Sequence, residues 1–247
     1  MIISIIASGS NGNCCLVENK ETSILIDAGK SGIEIERRMA SLDKSIEDVD
    51  AVLVTHEHSD HISGAGVLSR RFNLPLYMLE DVYASAKNWL GKIIHKTFDI
   101  KSKFKIKSFN IQPVKTSHDV ASCGFVIGDF GLFTDTGIIT PEIEKVIPSL
   151  KTILLESNHD IQMLKDGPYP AFLKRRVLSD RGHLSNEIAS KLIQEKGINL
   201  ELALLGHLSG VNNTPEVAAK TFKSLVSRNI EYKICSREKL TGSWEIG

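Results

Sequence analysis

The chain has 247 residues, in which 30 Lys and Arg balance 30 Asp and Glu, so the formal net charge is zero. Hydrophobic residues make up 42% and charged residues 24% of the sequence, which are ordinary proportions for a globular protein. This composition excludes a disordered chain, a collagen-like repeat and a disulfide-rich miniprotein. The balanced charge also argues weakly against a polyanionic partner that is bound through bulk charge, such as a nucleic acid.

The use of cysteine and the start of the chain point to a cytoplasmic protein. The four cysteines include no C-x-x-C pair, and such sparse use is typical of reduced thiols rather than of a disulfide framework. The apolar residues 2–7 lack the basic n-region that precedes the core of a secretory signal. No stretch approaches the roughly 20 apolar residues of a membrane span. We therefore expect a cytoplasmic protein with no membrane partner, as a monomer or a homodimer.

Apolar runs separated by turn signals predict alternating strands and helices in the first half of the chain. The run at 2–7 is closed by Ser-Gly-Ser-Asn-Gly-Asn at 8–13, and the run at 23–26 ends in Asp-Ala-Gly. The short apolar run at 51–54 leads directly into a histidine-rich segment. Strands are predicted at 2–7, 14–17, 23–26, 51–54 and 74–78, and helices from about residue 31, at 62–72 and at 81–90.

The second half of the chain begins rich in strands and ends with two well-delimited helices. Lys and apolar residues alternate strictly over 103–107, which predicts a half-buried strand with Lys on the solvent face. Ser185 is a suitable N-cap for a helix that stops at Gly197, and Thr214 caps a helix that has Pro215 at its first position. Strands are predicted at 103–109, 123–127, 131–134, 152–155 and 202–205.

This order of elements predicts the fold class. Strands that are interrupted by helices and gathered in two strand-rich stretches are typical of two sheets with helices on their outer faces. The sequence contains no low-complexity linker and no repeat at a fixed short period. We therefore expect one α/β (α+β) domain over residues 1–247, with αββα layers.

The segment Thr-His-Glu-His-Ser-Asp-His at 55–61 carries the strongest chemical signal. Side chains alternate along an extended chain, so His56 and His58 lie on the same side and could chelate one ion. Asp60 and His61 lie where the chain turns into the next helix and could serve a second ion. Imidazole and carboxylate groups suit Zn, Mn or Fe. A solvated loop with accidental histidines is the weaker interpretation, because three of only eight histidines cluster here.

One loop cannot complete two coordination shells, so further ligands are expected at other strand ends. The candidates are His118, Asp135 and His207, and each lies at or just beyond a predicted strand and is flanked by small or turn residues. Taken alone, a histidine after a strand is more often structural. The three residues together, in this order after the histidine-rich segment, favour a metal site.

The HxHxDH motif at 56–61, followed by His118, Asp135 and His207, resembles the signature of the metallo-β-lactamase superfamily in order and approximate spacing. The resemblance covers nearly the whole chain and implies a four-layer αββα sandwich. It implies two divalent ions (Zn, Mn or Fe) that together lower the pKa of a shared hydroxide-forming water. It also implies a catalytic role for Asp60. In the implied ligand sets, one ion is held by His56, His58 and His118, the second by Asp60, His61 and His207, and Asp135 bridges them.

Two further features of the motif set favour the phosphodiesterase branch that includes RNase Z. Asp135 stands where β-lactamases commonly place a cysteine. The segment Gly182-His183-Leu184-Ser185 resembles the G-H-S-like motif of that branch, which implies that His183 protonates the leaving oxygen. His183 before the cap Ser185 would also lie beside backbone N–H groups able to hold a phosphate oxygen. The alternative for His183 is a structural residue that bonds only to its neighbours.

Shorter motifs resemble the YycJ/WalJ-like members, which are small bacterial metallohydrolases linked to DNA exonuclease activity. The motifs are the loop at 8–13, the strand end at 27–29 and the segments 156–160 and 180–186. Glu156 and His159 could orient metal ligands, or they could be structural. The tentative phosphate contacts are Ser8, Ser10, Asn11, Asn158 and Ser185; for the loop at 8–13, a plain turn is an equal alternative.

Two stretches are basic although the whole chain is neutral. Residues 92–107 contain six Lys and one Asp, a net charge of +5, and residues 165–181 contain five basic and two acidic residues, a net charge of +3. Either stretch could follow a phosphate backbone if it borders the metals, although a run of charge is often only a solvated face. Tyr169 and Phe172 in the second stretch could stack on bases, or they could pack in the core.

The sequence thus predicts a dinuclear metal-dependent hydrolase, a phosphodiesterase or nuclease of the 5′–3′ DNA exonuclease kind, with nucleic acid as its substrate and DNA favoured over RNA. Two alternatives stay open at this point. The same fold could hydrolyse a thioester or lactone, as glyoxalase II does, or the chain could be a non-catalytic module that holds metal.

Overall fold

The computed structural model describes residues 1–246, which form two compact units. The first unit contains Met1–Pro113 and the C-terminal segment from Ser236, and the second contains Val114–Cys235. Each unit has a β-sheet and helices, so the predicted α/β class with two sheets is confirmed. That residues 1–247 form a single domain stays a prediction.

The sheet of the first unit places the histidine-rich segment at one edge. Its strand order is β14-β1-β2-β3-β4-β5-β6, in which β3 to β6 run parallel to one another. The strands are β1 (Ile2–Ala7), β2 (Cys14–Glu18), β3 (Ser23–Ile26), β4 (Ala51–Leu53), β5 (Pro75–Leu79), β6 (Ile94–Phe98) and β14 (Gly242–Glu245). The helices are α1 (Gly32–Ala40), α2 (Ser59–Ile62), α3 (Ala65–Phe72) and α4 (Glu80–Leu90), with a 3-10 turn at Ile46–Asp48.

The two central strands of this sheet explain why Asp27 and the histidine-rich segment lie at the same edge. Ile24–Ile26 and Ala51–Leu53 are at most 1% exposed. Such continuous apolar runs are typical of parallel strands that are covered on both faces. β3 pairs with β4 in parallel, with Ile26 opposite Leu53. The residues that follow these two strands, Asp27 and the segment beginning at Val54, therefore leave the sheet at its carboxyl edge.

The sheet of the second unit is built on the same plan. Its strands β9 (Cys123–Ile127), β10 (Phe130–Phe133), β11 (Thr152–Glu156), β12 (Leu202–Gly206) and β13 (Glu231–Ile234) have the order β13-β12-β11-β10-β9. β10 to β13 are parallel, and β9 is antiparallel to β10. The helices are α5 (Pro141–Val146), α6 (Ile161–Asp166), α7 (Ala171–Val177), α8 (Asn186–Lys196) and α9 (Pro215–Leu225), with a 3-10 turn at Ile147–Ser149.

An apolar core beneath this second sheet fixes the strand ends that carry polar residues. Phe133, Leu155 and Leu205 come from three neighbouring strands, and all are fully buried in one cluster with residues of α8 and α9. The helix caps agree with the sequence, since Ser185 accepts a hydrogen bond from Ile188 and Thr214 accepts one from Val217. The carboxyl ends of β10, β11 and β12 meet at one edge of the sheet.

Two predicted elements are wrong in their extent. The helix predicted over 62–72 is two helices, α2 and α3, because Gly64 donates its N–H to the Ala28 carbonyl at 2.8 Å and lies too close to Lys30 for a side chain. The strand predicted over 103–109 is instead a hairpin of β7 (Phe104–Ile106) and β8 (Phe109–Lys115). The chain reverses at Lys107, which has a φ of 45°.

All four cysteines are free and buried. Within the described residues, none of the helices combines the length and the apolar character that crossing a bilayer requires.

Candidate metal centre

The histidine-rich segment brings two imidazoles side by side at the carboxyl edge of the first sheet. His56 is 1% exposed, and its Nε2 lies 3.1 Å from Nδ1 of His58. Two nitrogens that bind one tetrahedral ion at 2.0–2.1 Å are about 3.3 Å apart. The spacing of these two donors therefore fits a shared divalent ion.

Asp27 orients the third histidine of the segment. Its carboxylate is 2% exposed and accepts hydrogen bonds from the Thr55 amide at 2.8 Å and from the Thr55 hydroxyl at 2.9 Å. It also lies 2.7 Å from Nδ1 of His61. Because an ionised carboxylate only accepts hydrogen bonds, Nδ1 of His61 carries the proton and Nε2 has the lone pair that a metal needs.

The other side of His61 faces Asp60 and Asn13. The Nε2 of His61 lies 3.6 Å from the Asp60 carboxylate and 3.0 Å from the side-chain amide of Asn13. The backbone carbonyl of Asp60 packs so closely on Gly29 that a Cβ there would lie 1.7 Å from it. This close approach explains the glycine in the Asp-Ala-Gly sequence that follows β3, and it holds α2 with its two candidate ligands in place.

The loop at 8–13 contributes a residue that the sequence did not single out. Asn13, not Ser10 or Asn11, contacts Asp60 and His61. Ser8 is buried, whereas Ser10 and Asn11 are exposed, and the Asn11 amide donates to the Arg237 carbonyl at 3.3 Å. The phosphate contacts of Ser8, Ser10 and Asn11 stay predictions.

In the second unit, Glu156 orients two histidines through contacts with their Nδ1 atoms. It ends β11, is fully buried, and one of its oxygens lies 2.7 Å from Nδ1 of His183 and 2.9 Å from Nδ1 of His207. Its other oxygen accepts the amide N–H groups of Thr136 and Leu184. Burial by itself would raise the pKa of Glu156, but the two histidines outweigh that effect and hold the pKa below its usual value. Glu156 is therefore an acceptor that turns the Nε2 atoms of both histidines outward.

Asp135 lies at the centre of the imidazoles of this unit. It follows β10 and has a φ of 55°, in the left-handed region. Its Oδ1 is 3.9 Å from Nε2 of His118, 3.7 Å from Nδ1 of His183 and 3.6 Å from Nε2 of His207. Four side chains each offer one possible ligand atom, and these four atoms all lie within 4.8 Å of one another. The side chains are those of Asp135, Glu156, His183 and His207. This mixture of nitrogen and carboxylate donors suits a divalent ion such as Zn, Mn or Fe.

His118 is held so that it can act as a neutral ligand. It is 5% exposed, and its Nδ1 lies 3.3 Å from the carbonyl of Gly182, which leaves Nε2 towards Asp119 and Asp135. Burial is the largest influence on His118 and lowers its pKa. A lowered pKa favours the neutral imidazole, which is the form that binds metal. The Arg181 guanidinium donates to the His118 carbonyl at 3.0 Å, so the second basic stretch reaches this loop.

His183 differs from the other histidines because it is partly open to solvent. Its side chain is 21% exposed. Burial opposes its charged form, but the carboxylate of Glu156 outweighs this and raises its pKa. Since Nδ1 faces Glu156, a proton that His183 gives to a substrate has to come from Nε2. The N–H groups of His183 and Leu184 donate to Val177 and Glu156, so they are engaged within the protein.

Asn158 and Ser185, which the sequence predicted as phosphate contacts, make hydrogen bonds within the protein. The Asn158 amide donates to the His207 carbonyl at 2.9 Å, and Ser185 caps α8 through its hydroxyl. His159 is 1% exposed, and burial lowers its pKa to about 4. In the second basic stretch, Tyr169 is half-buried and Phe172 is 66% exposed. Phosphate binding by Asn158 and Ser185 stays a prediction.

Known proteins that are similar to the chain agree with the resemblance in its motifs. Residues 7–141 match the profile of the metallo-beta-lactamase superfamily. The chain is 39% identical over 229 residues to the exodeoxyribonuclease WalJ of Streptococcus pneumoniae. The aligned region covers 88% of this chain and 85% of that protein. The chain is 38% identical over 227 residues to the exodeoxyribonuclease YycJ of Bacillus anthracis, which covers 87% and 85% of the two chains.

A solved structure supports the fold independently. The metallo-beta-lactamase fold protein YhfI of Bacillus subtilis matches with a TM-score of 0.76 over 98% of each chain, at 20% sequence identity. At that identity, the likeness concerns the fold alone. The predicted fold class is thereby confirmed.

Proposed function

Because the chain belongs to the metallo-β-lactamase superfamily, we propose that it is a metal-dependent phosphodiesterase that degrades DNA from an end, with 5′–3′ polarity. The observation that carries this proposal is His183, which is partly exposed, has its pKa raised by the Glu156 carboxylate, and places its Nδ1 3.7 Å from the Asp135 carboxylate. A proton donor beside the metal ligands is what the departure of an alkoxide from phosphorus requires. The two exodeoxyribonucleases at 38–39% identity support DNA as the substrate.

We propose that two divalent ions (Zn, Mn or Fe) bind the residues that the motifs identify. When bound, such ions polarise the phosphoryl oxygens and lower the pKa of a coordinated water. Glu156 is left out of these sets because its oxygens accept from histidine and amide N–H groups instead. The first ion would be held by His56, His58 and His118 and the second by Asp60, His61 and His207, and Asp135 would serve both.

The chain's own residues then have distinct tasks. Asp27 holds the proton of His61 on Nδ1, and Glu156 does the same for His207, so that both rings present Nε2. His183 transfers a proton from Nε2 to the leaving oxygen, while Glu156 stabilises its charged form at Nδ1. The Asp60 carboxylate lies 3.6 Å from Nε2 of His61 and would supply a carboxylate ligand to the second ion. The four buried free thiols also support a cytoplasmic location, where DNA is found.

Replacing His183 with Ala tests the proposal through the leaving group. The change should slow cleavage of DNA by about 10²–10⁴-fold, which is the usual contribution of a general acid. Cleavage of bis(p-nitrophenyl) phosphate should fall much less, because p-nitrophenolate leaves without a proton. Metal content, measured by plasma mass spectrometry, should be retained. The control is Glu201→Ala, since the Glu201 side chain is 70% exposed in the same unit.

Other outcomes would indicate a different role for His183 or a different function for the protein. Equal losses on both substrates, together with loss of metal, would make His183 a ligand rather than the acid. An activity panel on the metal-loaded protein, with end-labelled DNA and RNA, an acyl thioester and a lactam, settles the reaction class. Hydrolysis of the thioester alone would support an enzyme of the glyoxalase II type. Binding of DNA without turnover would support a non-catalytic module.

A further inference from the structure

A cavity in the first unit is lined in part by the end of α2, the short helix that carries Asp60 and His61. It has a volume of about 270 Å³ and is lined by Ile62, Ser63, Gly66, Val67, Arg70 and Trp89. We refer to it as the Trp89 groove. Ser63 is two residues beyond His61, so their Cα atoms are at most about 7 Å apart. The groove therefore begins at the loop that carries the candidate metal ligands.

The wall of the groove is an unusually exposed aromatic ring. Trp89 lies in the last turn of α4 and is 66% exposed, and Val67 on α3 is 39% exposed. A tryptophan normally contributes about 150–250 Å² of buried surface, so this indole leaves most of its apolar face in solvent. An aromatic face of this kind that lines a cavity is more than a scattered surface residue.

The floor and rim of the groove are rigid. A Cβ on Gly66 would lie 2.4 Å from the carbonyl oxygen of Leu90, so α3 and the end of α4 are in close backbone contact. The Arg70 guanidinium donates to the same carbonyl at 2.5 Å, which fixes a positive charge at the rim. The groove is therefore formed before any ligand arrives, and binding has little ordering entropy to overcome.

The segment of the chain that carries Trp89 is basic. Residues 84–96 contain three lysines and no acidic residue, and Lys87 and Lys92, which flank Trp89 in the chain, are exposed. Arg70 adds a positive charge at the rim of the groove itself. An apolar peptide would use the ring but not these charges, whereas a nucleotide uses both, because its base stacks and its phosphate is attracted.

We propose that the Trp89 groove binds one unpaired base of the DNA strand whose end is cleaved, with the base stacked on the indole and its phosphate near Arg70. The inference rests on the proposed nuclease function and specifies how that site grips its substrate. A base within a duplex is covered on both faces by its neighbours, so it can stack on Trp89 only after it leaves the double helix. Duplex DNA must therefore be opened at this position before it is cleaved.

Tryptophan fluorescence tests the stack directly. The chain has two tryptophans, so Trp244→Phe leaves Trp89 as the sole emitter. Titration of this metal-loaded protein with phosphorothioate oligo(dT), which resists cleavage, should quench the emission to saturation. An abasic oligomer of the same length and charge should quench it far less. Equal quenching by both oligomers would overturn the proposal, because the strand would then be held through phosphates alone.

Affinity measurements on matched variants complete the test. Trp89→Ala should raise the Kd for oligo(dT), measured by fluorescence anisotropy, about 5–150-fold, which corresponds to the 1–3 kcal/mol of one stacked base. Trp89→Phe should retain most of the affinity, and it also checks that loss in the Ala variant is not misfolding. Ile33→Ala is the control, because Ile33 is 74% exposed in the same unit but does not line the groove.

The possible outcomes distinguish a wrong groove assignment from a wrong proposal of nuclease activity. An unchanged Kd in Trp89→Ala, with nuclease activity intact in the parent, would overturn the groove assignment alone. If Trp89→Ala instead abolished self-association and left DNA affinity unchanged, the groove would be a contact between copies of the chain. If a base stacked on Trp89 but the protein cleaved no DNA, the groove would be supported as a base-binding site and the proposed nuclease function would be contradicted.

Discussion

Two buried carboxylates, Asp27 and Glu156, decide which nitrogen of each neighbouring histidine can bind a ligand. Asp27 lies 2.7 Å from Nδ1 of His61, and Glu156 lies 2.9 Å from Nδ1 of His207. An ion needs an imidazole lone pair, and that lone pair is on Nε2 only while Nδ1 keeps the proton. The chemistry of each unit therefore depends on a residue that need not touch the ion.

Glu156→Gln should show this dependence most sharply. All four partners of Glu156 are donors: Nδ1 of His183, Nδ1 of His207, and the amides of Thr136 and Leu184. A glutamine must aim its NH₂ group at one pair of them. If that group faces the histidines, their Nδ1 atoms must become acceptors, and Nε2 then carries the proton. We expect a loss of about 10–100-fold in metal affinity or kcat.

The measurements are metal titration and steady-state cleavage of an end-labelled oligonucleotide. Asp27→Asn is the matched variant in the first unit and should weaken metal binding by a similar factor, through His61. Glu201→Gln, at an exposed position, should leave both properties at the parental value. Parental metal affinity and kcat in both Glu156→Gln and Asp27→Asn would contradict the orienting role.

Residue types and their spacing were enough to predict a set of metal ligands, which stays a prediction, but they did not reveal the neighbouring residues that orient those side chains. The motif at 56–61, His118, Asp135 and His207 were identified because His and Asp followed predicted strands. Asn13 was missed because its contact with His61 joins positions 48 residues apart, and no local pattern records it. The carboxyl-edge position of Asp27 was the available signal for its role, since β3 and β4 end side by side.

At the scale of elements, Arg38 joins α1 to both ends of the first unit. Its side chain is 7% exposed and donates to Glu34 at 2.6 Å. It also donates to the Ile6 carbonyl in β1 and to the Glu238 carbonyl in the C-terminal segment, each at 2.9 Å. One guanidinium therefore satisfies acceptors from three parts of the chain that are far apart in sequence.

Arg38→Met should lower the free energy of unfolding by about 2–4 kcal/mol, because it leaves the Ile6 and Glu238 carbonyls without this donor and removes one of the two guanidinium partners of Glu34. The adjacent Arg37 is an unusually close control, since it pairs with the same Glu34 but is 70% exposed. Arg37→Met should change stability by less than about 1 kcal/mol. Urea unfolding followed by circular dichroism gives both values. Equal effects of the two changes would contradict the proposed anchor.

The elements that the sequence predicted well are those with strong local signals. The buried strands β1, β3, β4, β11 and β12 and the capped helices α8 and α9 match closely. β6 and β14 carry no such signal, because both are partly exposed edge strands that depend on pairing with distant partners. The break between α2 and α3 arises from the packing of Gly64 against Lys30, which periodicity alone does not reveal.

At the scale of the whole molecule, removal of metal should lower thermal stability. A ligand at 100 times its Kd stabilises the native state by about 2.7 kcal/mol. For a chain of this length, each kcal/mol corresponds to roughly 2–4 °C in Tm, so chelation should lower Tm by about 5–10 °C. Melting curves with and without EDTA, followed by readdition of Zn or Mn, measure the shift.

Asp135→Ala provides the internal comparison for this shift. The variant removes the carboxylate proposed to be shared, so it should lose at least one ion, lose DNA cleavage and show a smaller response to EDTA than the parent. An unchanged Tm after verified removal of metal from the parent would contradict a native-state site. Full activity in Asp135→Ala would contradict the proposed ligand set.

Six non-glycine residues in the described chain have left-handed backbone angles, and three of them are Asp27, Asp135 and His207. Each costs roughly 1–2 kcal/mol that a glycine would not. Selection for stability and selection for activity therefore act in opposite directions at these strand ends. Laboratory evolution towards heat resistance in the presence of a chelator, where bound metal no longer stabilises the fold and catalysis is not demanded, should replace Asp135 and His207 with glycine before it alters the sheets.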